Sequence, residues 1–165
     1  MMRQVQLPTA VREWSEYIPS SQMIYPTSFT HRLKYGFWTA YTPYHPFLRD
    51  RLLALKLIKH EGRQNFLLGK IAPDISVEEF VSFLIQKGYG NHFIAWRDEG
   101  ELVSLRYVED FVYQYHLRVF EDGEVRAHYE YTPECYPVLH LKEVGMEAKR
   151  EEFLTLLKNR IQSDF

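Results

Sequence analysis

The chain is expected to fold as an α+β domain, with an antiparallel meander of four to five strands packed against a long C-terminal helix and two helices ahead of the meander. Three observations lead there. Residues 113–132, YQYHLRVFEDGEVRAHYEYT, alternate like paired strands around Glu121-Asp122-Gly123. A similar turn, Asp98-Glu99-Gly100, separates two further apolar runs at 91–96 and 102–107. Beyond Met146, Phe153, Leu156, Leu157 and Ile161 recur among charged residues at helical spacing, and are expected to point inward.

A length of 165 residues suits a single domain spanning 1–165, long enough to bury a sizeable core. Aromatic residues make up 16% of the chain, with 12 Tyr and 11 Phe, which favours large packed ring surfaces. The net charge of −2 provides no global positive field, so nucleic acid is not an expected partner. One cysteine, Cys135, excludes an intrachain disulfide and any multi-cysteine metal site, and fits a reducing, cytoplasmic setting. No apolar leader and no run of about 20 apolar residues occurs, so a membrane is not expected either.

Residues 1–30 mix Pro8, Pro19 and Pro26 with serine and threonine and are expected to be irregular. The aromatic stretch 31–41, HRLKYGFWTAY, alternates loosely and predicts a strand that ends before Pro43. Pro46 suits the start of a helix running to a stop at Gly62, with Leu48, Leu52 and Leu55 on one stripe, although LLALKLI would also serve as a buried strand. Residues 65–71 predict a short strand or connector. Ser76-Val77-Glu78-Glu79 is a capping box, so a helix follows, with Phe80, Phe83 and Leu84 on its apolar side and Gly88 at its end. Pro133 and Pro137 interrupt the chain around Cys135, and residues 136–142 can add an edge strand. This order of elements resembles a helix-grip fold, and the resemblance implies a curved sheet around the last helix with an apolar cavity between them.

The hairpin at 113–132 carries the candidate site. A three-residue loop with Gly123 in the left-handed conformation sets Tyr113, Tyr115, Leu117 and Val119 opposite Tyr131, Tyr129, Ala127 and Val125 as a core face. The other face then pairs Gln114, His116 and Arg118 with Glu130, His128 and Arg126. Like charges opposite one another need compensation, from acidic neighbours, neutral histidines, solvent or a bound anion or metal. His92 is expected opposite Arg106, and His140 and Glu134 can approach the polar face. Two histidines and a carboxylate are a possible ligand set, but no compact motif such as H-E-x-x-H is present, so no metal and no cofactor is assigned. Cys135 carries no sign of activation.

Two functions follow. The first is a non-enzymatic binding module, with Tyr113, Tyr115, Tyr129 and Tyr131 lining a face for a small apolar molecule or a protein partner, and a homo-oligomer as one form of that partnership. The alternative is a hydrolase or phosphate-handling enzyme in which His116 and His128 act as base and acid, Glu130 orients one of them, and Arg118, Arg126 and Gln114 hold the substrate. No P-loop, dinucleotide-binding glycine pattern or nucleophile elbow occurs to support other chemistry.

Overall fold

Residues 26–56, 66–91, 98–136 and 144–162 are described by the computed structural model of the chain. The first element corrects the expected strand at 31–41. It is helix α1 (Phe29–Tyr41), capped by Ser28, whose Oγ accepts from the His31 amide at 3.2 Å. Loose alternation had concealed a helical spacing. His31 and Tyr35 meet the Phe111 ring, Lys34 lies 3.9 Å from the Tyr136 ring centroid, and Trp38 is buried. These four positions are three or four residues apart and so share one side of a helix. Phe29, Leu33 and Phe37 are exposed. Phe29 and Thr30 thus belong to a helix and not to an irregular segment, while residues 1–25 lie outside the described part.

Helix α2 (His45–Ala54) begins with Pro46 in its first turn and ends earlier than expected. Leu55 caps it and Lys56 takes a φ of +56°, which turns the chain out of the helix. The expected leucine stripe is not a core face, since Leu48 and Leu55 are both exposed. The expected continuation to Gly62 lies outside the described residues.

Strand β1 (Phe66–Ile71) leads into helix α3 (Val77–Gln86), where Ser76 Oγ accepts from the Glu79 amide at 3.1 Å. Phe80, Val81 and Leu84 are fully buried. Gly88 closes the helix with a φ of +92°; its amide donates to Ile85 and that of Tyr89 donates to Leu84, the paired bonds of a Schellman stop. The left-handed step turns Tyr89 into the core.

Strands β2 (Glu101–Val108), β3 (Tyr113–Phe120) and β4 (Glu124–Tyr131) form the meander. Helix α4 (Met146–Leu157) follows, and a short reversal delivers β5 (Ile161–Gln162). The sheet order is β2-β3-β4-β1-β5, antiparallel throughout, so the α+β class with a five-stranded sheet and a C-terminal helix is the one expected. Among the described residues, β1 and β5 extend the sheet beyond β4. β1 pairs with β4, β5 pairs with β1, and Ile161 is a strand residue beyond the helix. The expected strands at 91–96 and 136–142 fall almost wholly outside the described residues. An isolated bridge places Gly90 opposite Arg106, the position expected for His92.

The β3–β4 hairpin has the expected register throughout, from Tyr113 opposite Tyr131 to Val119 opposite Val125. Gly123 has a φ of +83°, and its amide donates to the Phe120 carbonyl at 3.0 Å. A side chain there would meet no steric obstacle, so the preference for glycine is one of backbone conformation. Tyr115, Leu117 and Val119 with Val125, Ala127 and Tyr129 pack in one core with Phe80, Leu84, Met146, Phe153 and Leu157. α3 and α4 therefore cover the tyrosine-bearing face.

Candidate functional site

The second face of the sheet is where the sequence departs from ordinary polar decoration. The β2–β3 register sets Ser104 opposite Arg118 and Arg106 opposite His116, adding both to the polar row of the hairpin. Most of this row is shielded from solvent. Arg118 is 0% exposed, His128 and Glu130 are 2%, Gln114 is 3% and His116 is 5%. Buried polar groups must find partners, and these find one another.

His116 stands at the centre. Its Nε2 is 2.7 Å from Ser104 Oγ and its Nδ1 is 2.8 Å from His128 Nε2. Glu130 lies 3.1 Å from His128 Nε2 through Oε2 and 3.5 Å from His116 Nδ1 through Oε1, and Gln114 Nε2 donates to Glu130 Oε1 at 2.7 Å. His128 Nδ1 is buried with no hydrogen-bond partner among the described residues. The structure thus joins four of the predicted site residues, His116, His128, Glu130 and Gln114, into one network.

The two arginines are not part of it. Arg118 binds Glu101, the preceding strand's carboxylate, and Asp98 at 2.6 Å. Arg126, half-exposed, binds Glu124 on its own strand at 2.5 Å. Acidic neighbours therefore resolve the repulsion between the opposed arginines, and both guanidinium groups already hold carboxylates. Arg106 makes a two-pronged contact with Glu134, at 2.7 and 3.1 Å, and a third with Gln114 at 3.1 Å. Glu134 does approach this face as expected, while His140 and His92 lie outside the described residues.

Glu130 has no lysine or arginine partner among the described residues, and the imidazoles take that role. Burial pushes its carboxyl up, but the charge of His128 and hydrogen bonds from His116 and His128 outweigh this and hold it well below the usual carboxylate range. A depressed folded value contributes stability that is present above the unfolded value of about 4.3 and lost as pH falls through the folded one. In chelator-containing buffer, urea unfolding should therefore give a stability that declines below about pH 4.3 and keeps declining to the lowest pH at which the chain is folded. Glu130→Gln should flatten that acid limb. An unchanged limb in the variant would remove Glu130 as its source.

On the tyrosine face, an open cavity of about 380 Å³ lies between the end of α3, β2, β3 and α4. Tyr89, Tyr107, Tyr115 and Phe153 give it aromatic walls, and Glu109, Glu152 and Lys87 supply charge. Tyr115 meets Phe153 edge to face at 5.2 Å, and Tyr107 lies 5.6 Å from Tyr89. Tyr115 donates a short hydrogen bond to Glu152, and Tyr129 one to Glu109. Lys149 joins them, 2.7 Å from the Tyr115 hydroxyl, 3.2 Å from Glu109 and 3.1 Å from Glu152. Burial and the Glu152 hydrogen bond push the Tyr115 phenol up to about 12, so it is a neutral donor at physiological pH.

Of the four tyrosines assigned to binding, Tyr115 lines this cavity, whereas Tyr113 stacks against Tyr129 and Tyr131, each at 5.5 Å. Sequence reasoning missed Tyr89, Tyr107, Glu109, Glu152 and, on the polar face, Ser104 and Glu101. A usable signal existed for Ser104. Asp110 accepts from the amides of Val112 and Tyr113, both at 2.7 Å, and this Asx turn sets the register that aligns Ser104 with Arg118. Cys135 is buried, which raises its thiol despite Lys34 at 3.7 Å, so it is not an activated nucleophile.

No helix among the described residues is long and apolar enough to cross a membrane. Comparison with known proteins finds no matching family model, curated protein or solved structure.

Proposed function

We propose that the protein is a non-enzymatic binding module that takes a small, largely apolar aromatic molecule into the cavity between the sheet and α4. The single observation that carries this reading is the cavity itself: a volume of about 380 Å³ with Tyr89, Tyr107, Tyr115 and Phe153 as walls and carboxylates at one side. Such a site buries an aromatic body against rings while Glu109 and Glu152 accept from one polar donor. Its size is near the lower end of small-molecule sites, about 300–1,000 Å³. The hydrolase alternative is less well supported, because His116 and His128 are 5% and 2% exposed and both arginines are held by carboxylates. A cytoplasmic setting goes with this reading, supported by the single cysteine.

Indole is a suitable probe. Saturation-transfer NMR should detect its binding to the wild-type chain, and Leu156→Trp, which fills the cavity from α4, should weaken it at least tenfold while leaving the unfolding temperature nearly unchanged. No transfer to millimolar indole, or equal transfer in both chains, would sink the proposal.

A further inference from the structure

We infer that His116, His128 and Glu130 form a binding site for one divalent transition-metal ion of borderline character, zinc or ferrous iron. The site is independent of the cavity described above and lies on the opposite face of the sheet. It departs from the expectation of no metal, which rested on the lack of a compact helical motif. The equivalent motif here belongs to a strand pair: His128 and Glu130 are two residues apart on β4, so both project from one face, and His116 is directly opposite His128 on β3.

The donor atoms converge. His116 Nδ1 and His128 Nε2 are 2.8 Å apart, His128 Nε2 and Glu130 Oε2 are 3.1 Å apart, and His116 Nδ1 and Glu130 Oε1 are 3.5 Å apart. With one carboxylate oxygen as the third donor the three atoms lie within 4.8 Å of one another, and three donors each about 2.0–2.2 Å from an ion are separated by roughly 3.0–3.5 Å in octahedral or tetrahedral geometry, so small side-chain movements bring them onto one ion. Two imidazoles and one carboxylate form the donor set that suits zinc or non-haem iron rather than calcium or magnesium.

The surroundings fix the donors in the required orientation. Ser104 Oγ, 2.7 Å from His116 Nε2, can accept a hydrogen bond from that nitrogen, so that Nδ1, which donates to Glu130 in the metal-free chain, is the nitrogen that gives up its proton to an entering ion. Gln114 holds Glu130 Oε1 at 2.7 Å. Arg106, Arg118 and Arg126 are each paired with another carboxylate, so none neutralises Glu130. His128 Nδ1 lacks the corresponding outer partner among the described residues. The loss of one such hydrogen bond lowers metal affinity by about 10–100-fold, so the site should bind more weakly than one with a complete outer shell.

The test uses the full chain, stripped with chelator and then titrated with Zn²⁺ directly and after refolding from urea in its presence, because the donors are buried. An anaerobic Fe²⁺ arm distinguishes the two ions. The expected result is one equivalent bound per chain, with the ring signals of His116 and His128 displaced in slow exchange and that of His31 unmoved. Glu130→Gln should weaken binding at least tenfold. Should that variant fail to fold, the wild-type ring signals decide alone. Absence of stoichiometric uptake of either ion after refolding, or uptake that leaves both ring signals in place, overturns the inference.

Discussion

Replacing Arg118 by alanine should destabilise the protein by about 3–5 kcal/mol, a large share of the roughly 5–15 kcal/mol that holds a domain of this size together. Arg118 is 0% exposed and its guanidinium is paired with Glu101, whose side chain is also fully buried, and with Asp98, which reaches solvent. Truncation leaves the Glu101 charge in a site without its partner, and this desolvation penalty is the main part of the loss. Restoring shape without charge should reverse most of it. The double change Arg118→Met with Glu101→Leu should recover more than half of the lost stability in urea denaturation, because a buried ion pair is often replaceable by apolar groups of similar size. A loss below about 1 kcal/mol for Arg118→Ala would show that the pair is solvated and the face open.

Phe153→Ala should cost about 3–5 kcal/mol by the same measurement. Phe153 is 1% exposed and packs the middle of α4 onto the sheet, its ring set edge to face against Tyr115 at 5.2 Å. Met146 and Leu157 anchor the two ends of the helix, and Phe153 is the buried apolar residue between them. The change should also enlarge the aromatic cavity and weaken the near-ultraviolet circular dichroism of the tyrosines, whose asymmetry depends on their packing. Phe153→Leu, which retains most of the buried surface, should cost roughly 1–2 kcal/mol. Equal losses for leucine and alanine would mean that the edge-to-face geometry rather than the buried area holds α4 in place.

Both experiments probe features of unequal visibility in the sequence. The β3–β4 register could be read because it follows from local chemistry: once Gly123 takes a left-handed conformation, a three-residue loop assigns every side chain to a face. The capping of α3 by Ser76 and its end at Gly88 were readable for the same reason, since each involves groups only a few residues apart. α1 was misread because an aromatic string satisfies both periods loosely, and the Ser28 cap tips the balance toward helix. The pairing of β1 with β4 and with β5 unites segments far apart in the chain, and periodicity within a segment carries no information about such partners.

By itself, then, the sequence determined which residues share a face of the central hairpin, that a helix follows Ser76 and another follows Gly145, and that the class is α+β. Tertiary structure alone decided that the face bearing His116, His128 and Glu130 is buried rather than wet, that Arg118 belongs to Glu101, and that Tyr89 and Glu152 meet across a cavity. The physical reason is that alternation and turn chemistry act over a few residues, whereas burial and charge pairing depend on what the rest of the chain brings alongside. For an ionisable residue that difference is decisive, because the same side chain is inert in water and, when shielded with a few convergent neighbours, becomes a candidate ligand.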